Sequence, residues 1–87
     1  MKTAYSAKVL GALVRAERKT RRRSQDWVAE RVGCRRQTIA DLEAGRNVAL
    51  NILMGALTAL GKGIAIVDAR VELERLEEIF GDDADED

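Results

Sequence analysis

Apolar residues recur along the first sixty positions at intervals of three and four with polar residues between them, the period of amphipathic helices. Ser6 is a capping residue type, and after it Val9, Leu10, Leu13 and Val14 repeat at helical spacing up to a basic run beginning at Arg18. This predicts a first helix whose apolar residues are core. Ser24 caps a second helix with Val28, Ala29 and Val32 inward and Gly33 as its stop. Arg35, Arg36 and Gln37 open a third, with Ile39 and Leu42 on its buried side and Gly45 at its end. Leu50, Leu53, Leu57 and Leu60 mark one face of a fourth, closed by Gly61, Lys62 and Gly63. The pattern then changes. Ile64, Ala65, Ile66 and Val67 form a short β-branched run that reads as a strand, and no other segment offers it a partner. A lone strand leaves its backbone groups unpaired, so pairing with the same strand of a second copy across a twofold axis is the expectation. From Val71 to Phe80, Leu73, Leu76 and Phe80 share one side of a further helix surrounded by glutamates, and residues 81–87 are almost wholly acidic. The expected division is a domain over residues 1–69 followed by an acidic helix and tail over residues 70–87.

The stretch from Ser24 to Arg46 therefore reads as two short helices joined by a tight turn, a helix-turn-helix whose second helix can lie in the major groove of DNA. The N-terminal end of such a helix is nearest the base edges. Arg35 and Arg36 suit guanine and Gln37 suits adenine, each good pair giving about 1–3 kcal/mol of discrimination. One turn on, Ala40 is placed to touch a thymine methyl, and Asp41 either accepts from cytosine or repels the backbone. Gln25, beside the partly positive start of the second helix, suits a phosphate, as do Thr38 and Arg46. The run Arg18, Lys19, Thr20, Arg21, Arg22, Arg23 is either a solvated loop or a phosphate clamp. We favour the clamp, with Arg21, Arg22 and Arg23 on the backbone, because the run immediately precedes the reading unit. Trp27 stands off the inward face, where it covers the stems of Arg21 to Arg23 or marks a partner contact. Cys34 is expected as a small buried residue at the turn; the other reading is a redox thiolate activated by Arg35 and Arg36. Glu43 is placed to pair with a cation on the first helix.

Composition narrows the function. The 87 residues carry no net charge, yet residues 1–46 hold twelve Lys or Arg against five Asp or Glu, and residues 47–87 hold three against ten. The halves are therefore +7 and −7, which suggests nucleic acid as partner of the first and something cationic as partner of the second. One cysteine and no histidine leave no material for an internal disulfide, a zinc site or a histidine-based triad. No carboxylate pair accompanies a phosphate-cradling glycine loop, so neither catalysis nor a cofactor is expected. With no apolar run of membrane-spanning length and no signal-peptide pattern, the expectation is a cytoplasmic, nucleoid-associated protein with no membrane partner. An RNA-binding or architectural role fits less well, since stacking aromatics are few.

Arg18, the pair Ser24 and Gln25, Val28 with Ala29, Gly33, the segment RRQTI from Arg35 to Ile39 and LEAGR from Leu42 to Arg46 stand in an order and spacing that resembles the lambda-repressor-like, or XRE-type, helix-turn-helix family. The likeness spans about Ser6 to Leu60. Within that family the chain is similar to HipB-type antitoxins, through Tyr5 and Ser6 before the first helix, the strand Gly63 to Asp68 and the closing pair Asp68 and Ala69. The resemblance implies a mainly α, five-helix domain whose C-terminal strand, Ile64, Ala65, Ile66 and Val67, forms the dimer interface. It implies a homodimer that represses its own operon from palindromic operator DNA and holds a HipA-like kinase toxin inactive, as in a HipBA-like toxin-antitoxin pair. By position it puts Arg35, Arg36, Gln37 and Ala40 at bases, Gln25, Thr38 and Arg46 at phosphates, and Arg18 on Glu43. A stand-alone phage or chromosomal regulator without a toxin is one alternative, and a module that mainly neutralises a toxin is another. Two departures matter. Most relatives have a glycine and a large apolar residue where Arg22 and Arg23 stand, and Arg35 occupies a position that is often a capping serine. The acidic C-terminal segment is not general in the family, so partner contacts there do not transfer.

Overall fold

The computed structural model describes residues 2–69, which hold four helices: α1 Ala7–Thr20, α2 Gln25–Val32, α3 Arg36–Glu43 and α4 Leu50–Ala59. The fold is mainly helical, as expected. The family resemblance implies five helices and a strand; among the described residues there are four helices and no strand. The helix expected from Val71 to Phe80 and the acidic tail lie outside the described residues.

Local chemistry accounts for the helix ends. Ser6 and Ser24 are extended residues whose Oγ atoms accept from the N–H groups of Val9 at 3.1 Å and Trp27 at 3.0 Å, satisfying donors that the first turn leaves orphaned. Three helices close in the same way, by a pair of nested backbone bonds around a residue with positive φ. After α3 the Arg46 N–H reaches the Asp41 carbonyl (2.9 Å) and Gly45 has φ 84°; after α4 the Lys62 N–H reaches the Leu57 carbonyl (2.8 Å) and Gly61 has φ 73°. After α1 the Arg23 N–H reaches the Arg18 carbonyl (3.1 Å), but the left-handed position belongs to Arg22, with φ 56°. The departure at Arg22 thus falls on the residue where glycine would relieve strain. Helix α1 also runs a turn further than its apolar spacing indicates, through Arg18 and Lys19, whose charges suit a helix C-terminus.

Val14, Val28, Ala29, Ile39, Leu42, Ala56, Leu57 and Leu60 form the buried core. Helix α2 packs against both α3 and α4, and α1 packs against α3. Two positions expected in the core are not there. Val9 is 45% exposed, because the buried stripe of α1 runs through Gly11, Val14 and Arg18 instead. Leu50, the first residue of α4, is 70% exposed.

Residues 62–69 leave α4 without regular secondary structure. The expected strand residues Ile64, Ala65, Ile66 and Val67 form no ladder, since no other described segment supplies an edge for them to pair with. Ile64 and Val67 line a groove against Leu10 and Leu13 of α1, while Ile66 is 98% exposed.

Candidate nucleic-acid interface

The period of α3 sorts its residues into two faces. Ile39, Leu42 and Glu43 are buried, whereas Arg36 and Gln37 are exposed and Ala40 and Asp41 half-buried. Arg35, the extended N-cap, makes no side-chain capping bond, so its guanidinium adds to the charge at the start of the helix. The residues expected to read bases thereby come together at one end and along one side of α3. Thr38 is half-buried at the margin of this face.

Behind this face lies a buried polar junction. Arg18 meets Glu43 in a bidentate ion pair, Nε to Oε2 at 2.6 Å and Nη2 to Oε1 at 3.1 Å, with side chains 10% and 4% exposed. The third guanidinium nitrogen, Nη1, donates to the Arg23 carbonyl at 2.8 Å, and the Gln25 amide donates to Glu43 Oε1 at 3.0 Å. One carboxylate therefore fixes the end of α1, the connection into α2, the first residue of α2 and the last residue of α3. Among the described residues no buried side-chain polar atom is left without a partner, as a low-dielectric junction requires. Gln25 is thereby held at the floor of an open cleft bordered by Arg15 and Lys19 of α1, Ser24 and Arg36. Arg15 was not among the residues expected at the interface, and Lys19 entered only as part of the basic run. Their i, i+4 spacing on α1 was the available signal.

The basic run does not form one patch. Arg18 is internal. Arg21 donates to Glu17 at 2.8 Å and lies over Gly61 at the end of α4. Arg22 is exposed, and Arg23 stacks on Trp27 with its guanidinium carbon 4.4 Å from the ring centroid. Arg31, which the sequence reading passed over, stacks on Trp27 at 4.5 Å. Trp27 is half-buried against the core and presents two cations beside it, a pairing its π-face favours. Cys34 is half-buried, not buried, and desolvation pushes its thiol up, the opposite of the activation by Arg35 and Arg36 that a redox role needs.

At the far end of α3, Asp41 Oδ1 accepts from Gln37 Nε2 at 2.9 Å and from Arg46 Nη1 at 3.0 Å. These two bonds hold its carboxyl below the usual aspartate range. Two residues expected to touch DNA, Gln37 and Arg46, are thus joined through a third. No three His, Cys, Asp or Glu side chains cluster among the described residues in a way that would hold a metal.

Residues 9–85 match a family model described as a helix-turn-helix domain. Similar solved structures include an MDT protein and a HipB–O4 20mer complex, each at TM-score 0.74 and 23% identity, with 79% of this chain and 99% of the other covered. A HipA–HipB–O2–O3 complex aligns at TM-score 0.73 and 22% identity, covering 78% of this chain and 97% of that one. No significant match is found among curated proteins.

Proposed function

This chain belongs to the XRE-type helix-turn-helix family, and from that premise we propose that it is a homodimeric, sequence-specific repressor that binds palindromic operator DNA. The observation that carries this reading is arginine standing twice where the backbone favours another residue. Arg22 occupies a left-handed helix end, and Arg35 an N-cap that it does not cap. Departures from local rules of this kind concentrate at functional sites, and both residues are exposed. In this reading Arg35, Arg36, Gln37, Ala40 and Asp41 face the bases. Arg21, Arg22, Arg23, Gln25, Thr38 and Arg46 face phosphates, and Arg15 and Lys19 join them. The protein acts by binding and not by catalysis, in the cytoplasm at the nucleoid.

Two further elements of the reading have separate support. Exposure of Ile64, Ile66 and Val67 in a single chain favours their burial between two copies, which would set half-sites about 34 Å apart. The fold likeness to HipB bound to HipA supports an antitoxin role beside a HipA-like kinase toxin, with the acidic half as the surface for a cationic partner. A kinase-like gene next to this one is the expected genetic context, and a solitary or phage context would favour a plain regulator.

The deciding experiment is selection from random duplexes. A palindrome should be enriched, and affinity for it should fall by about 10³–10⁵ between 50 and 200 mM salt. A flat salt response, or no enriched sequence, would reject the reading. The two misplaced arginines supply a second check. Arg22→Gly should stabilise the fold by up to about 1 kcal/mol by relieving the left-handed strain, and Arg35→Ser by about 0.5–2 kcal/mol through a restored cap. Urea unfolding should show the gain, while titration of the enriched duplex at fixed salt should show weaker binding by both variants.

A further inference from the structure

A carboxylate on a face meant for a polyanion is unfavourable unless it has a task, and Asp41 is not idle. Its Oδ1 atom takes the Gln37 amide at 2.9 Å and the Arg46 guanidinium at 3.0 Å. Both partners are delivered by backbone geometry. Gln37 lies one helical turn before Asp41, and the Arg46 N–H is bonded at 2.9 Å to the carbonyl of Asp41 itself, through the left-handed turn at Gly45.

We propose that Asp41 is a specificity-determining positioning residue: it orients Gln37 for one base pair and withholds Arg46 from DNA that lacks that pair. This rests on the DNA-reading function proposed above. An ionised carboxylate only accepts hydrogen bonds, so the amide nitrogen of Gln37 must face it. The amide oxygen and the second N–H are then left toward the groove, which is the acceptor and donor pair that adenine's N6 and N7 require. Arg46 is neutralised by the same oxygen. A random duplex offers Arg46 a phosphate only at the loss of its partner, and brings its own negative charge toward Asp41. Repulsion of the wrong partner in this way raises discrimination without adding any contact to the right one.

The test uses the full chain, the duplex enriched by selection and a scrambled duplex of equal length. Asp41→Ala should tighten the scrambled duplex by about 3–10-fold and the enriched duplex by less, so that their affinity ratio falls. The salt slope on scrambled DNA should steepen by about 0.9 for each arginine released. In an Arg46→Ala background the change in slope should vanish and the gain in affinity should shrink, because only the repulsion by Asp41 is then relieved. A second selection with Asp41→Ala should lose its preference at the one base position that Gln37→Ala also loses. Asp41→Asn, which keeps the shape of the side chain, separates loss of charge from any loss of packing and should reproduce the scrambled-duplex gain. If the unmodified protein selects a palindrome while Asp41→Ala leaves scrambled binding unchanged, weakens it or tightens it equally without Arg46, the inference fails by itself. If the unmodified protein binds no duplex, the DNA-reading function fails first and this inference with it.

Discussion

Glu43→Ala is expected to lower the free energy of unfolding by about 3–5 kcal/mol, the range found when one partner of a buried ion pair is removed. The cost arises less from the lost attraction than from the charge left behind. Arg18 would keep its guanidinium in a site where its side chain is 10% exposed, with only the Arg23 carbonyl still accepting from it among its present partners. Gln25 would lose its acceptor as well. A loss of this size is a large share of the stability of a small domain, and urea unfolding monitored by helix content would reveal it. Glu43→Gln keeps the shape but not the charge and should also be damaging. The combination Arg18→Met with Glu43→Leu should recover most of the loss, because apolar replacement of a whole buried pair is often neutral. A loss below about 1 kcal/mol for Glu43→Ala would mean that the pair behaves as an exposed one.

Gly11→Ala should destabilise the protein even though alanine is the better helix former. Propensity favours the substitution by about 1 kcal/mol. Packing opposes it, because a Cβ at Gly11 would lie 2.7 Å from the Glu43 carbonyl oxygen and 2.9 Å from its carbon, and would also meet the Leu42 carbonyl. These are backbone atoms at the end of α3 and cannot turn aside as a side chain can. Overpacking of this kind costs about 1–3 kcal/mol and occasionally more, so the contact outweighs the propensity and thermal denaturation should show a lowered midpoint. Since α3 is the element displaced, binding to the enriched duplex should weaken even where the variant remains fully folded. Gly55→Ala is the control: its Cβ would first meet the Val32 side chain, at 3.2 Å, and should be much milder. A raised midpoint for Gly11→Ala would refute the close approach of α1 to α3.

The helices were legible because their signals are local. A serine three residues before an amide it can cap, or a glycine after the last apolar residue, acts within one turn and needs no knowledge of the rest of the chain. The same holds for the reading face, since the 3.6-residue period that turns Ile39 and Leu42 inward also turns Arg36 and Gln37 outward. Periodicity was less reliable for Val9 and Leu50. It gives a direction but not how far a neighbour covers that face, and among the described residues these two stay 45% and 70% exposed. The basic run was legible as charge and not as arrangement: four of its arginines go to a buried carboxylate, a surface glutamate, a strained turn and an indole ring.

What the sequence alone determined about this protein is therefore the four helices of the described residues, most of their ends and the outward face of α3, all products of interactions within a few residues. What only the tertiary structure decided is which charges are spent inside the molecule. Arg18 and Glu43 are 25 positions apart and become one bidentate pair only when α1 crosses the end of α3 at the gap left by Gly11. Asp41 shows the same division at the surface. Its place on the helix follows from counting, but its hold on Arg46 depends on the left-handed turn at Gly45 bringing the chain back. Chain direction after a turn, and the desolvation that makes a charge pair matter, exist only once distant segments have met.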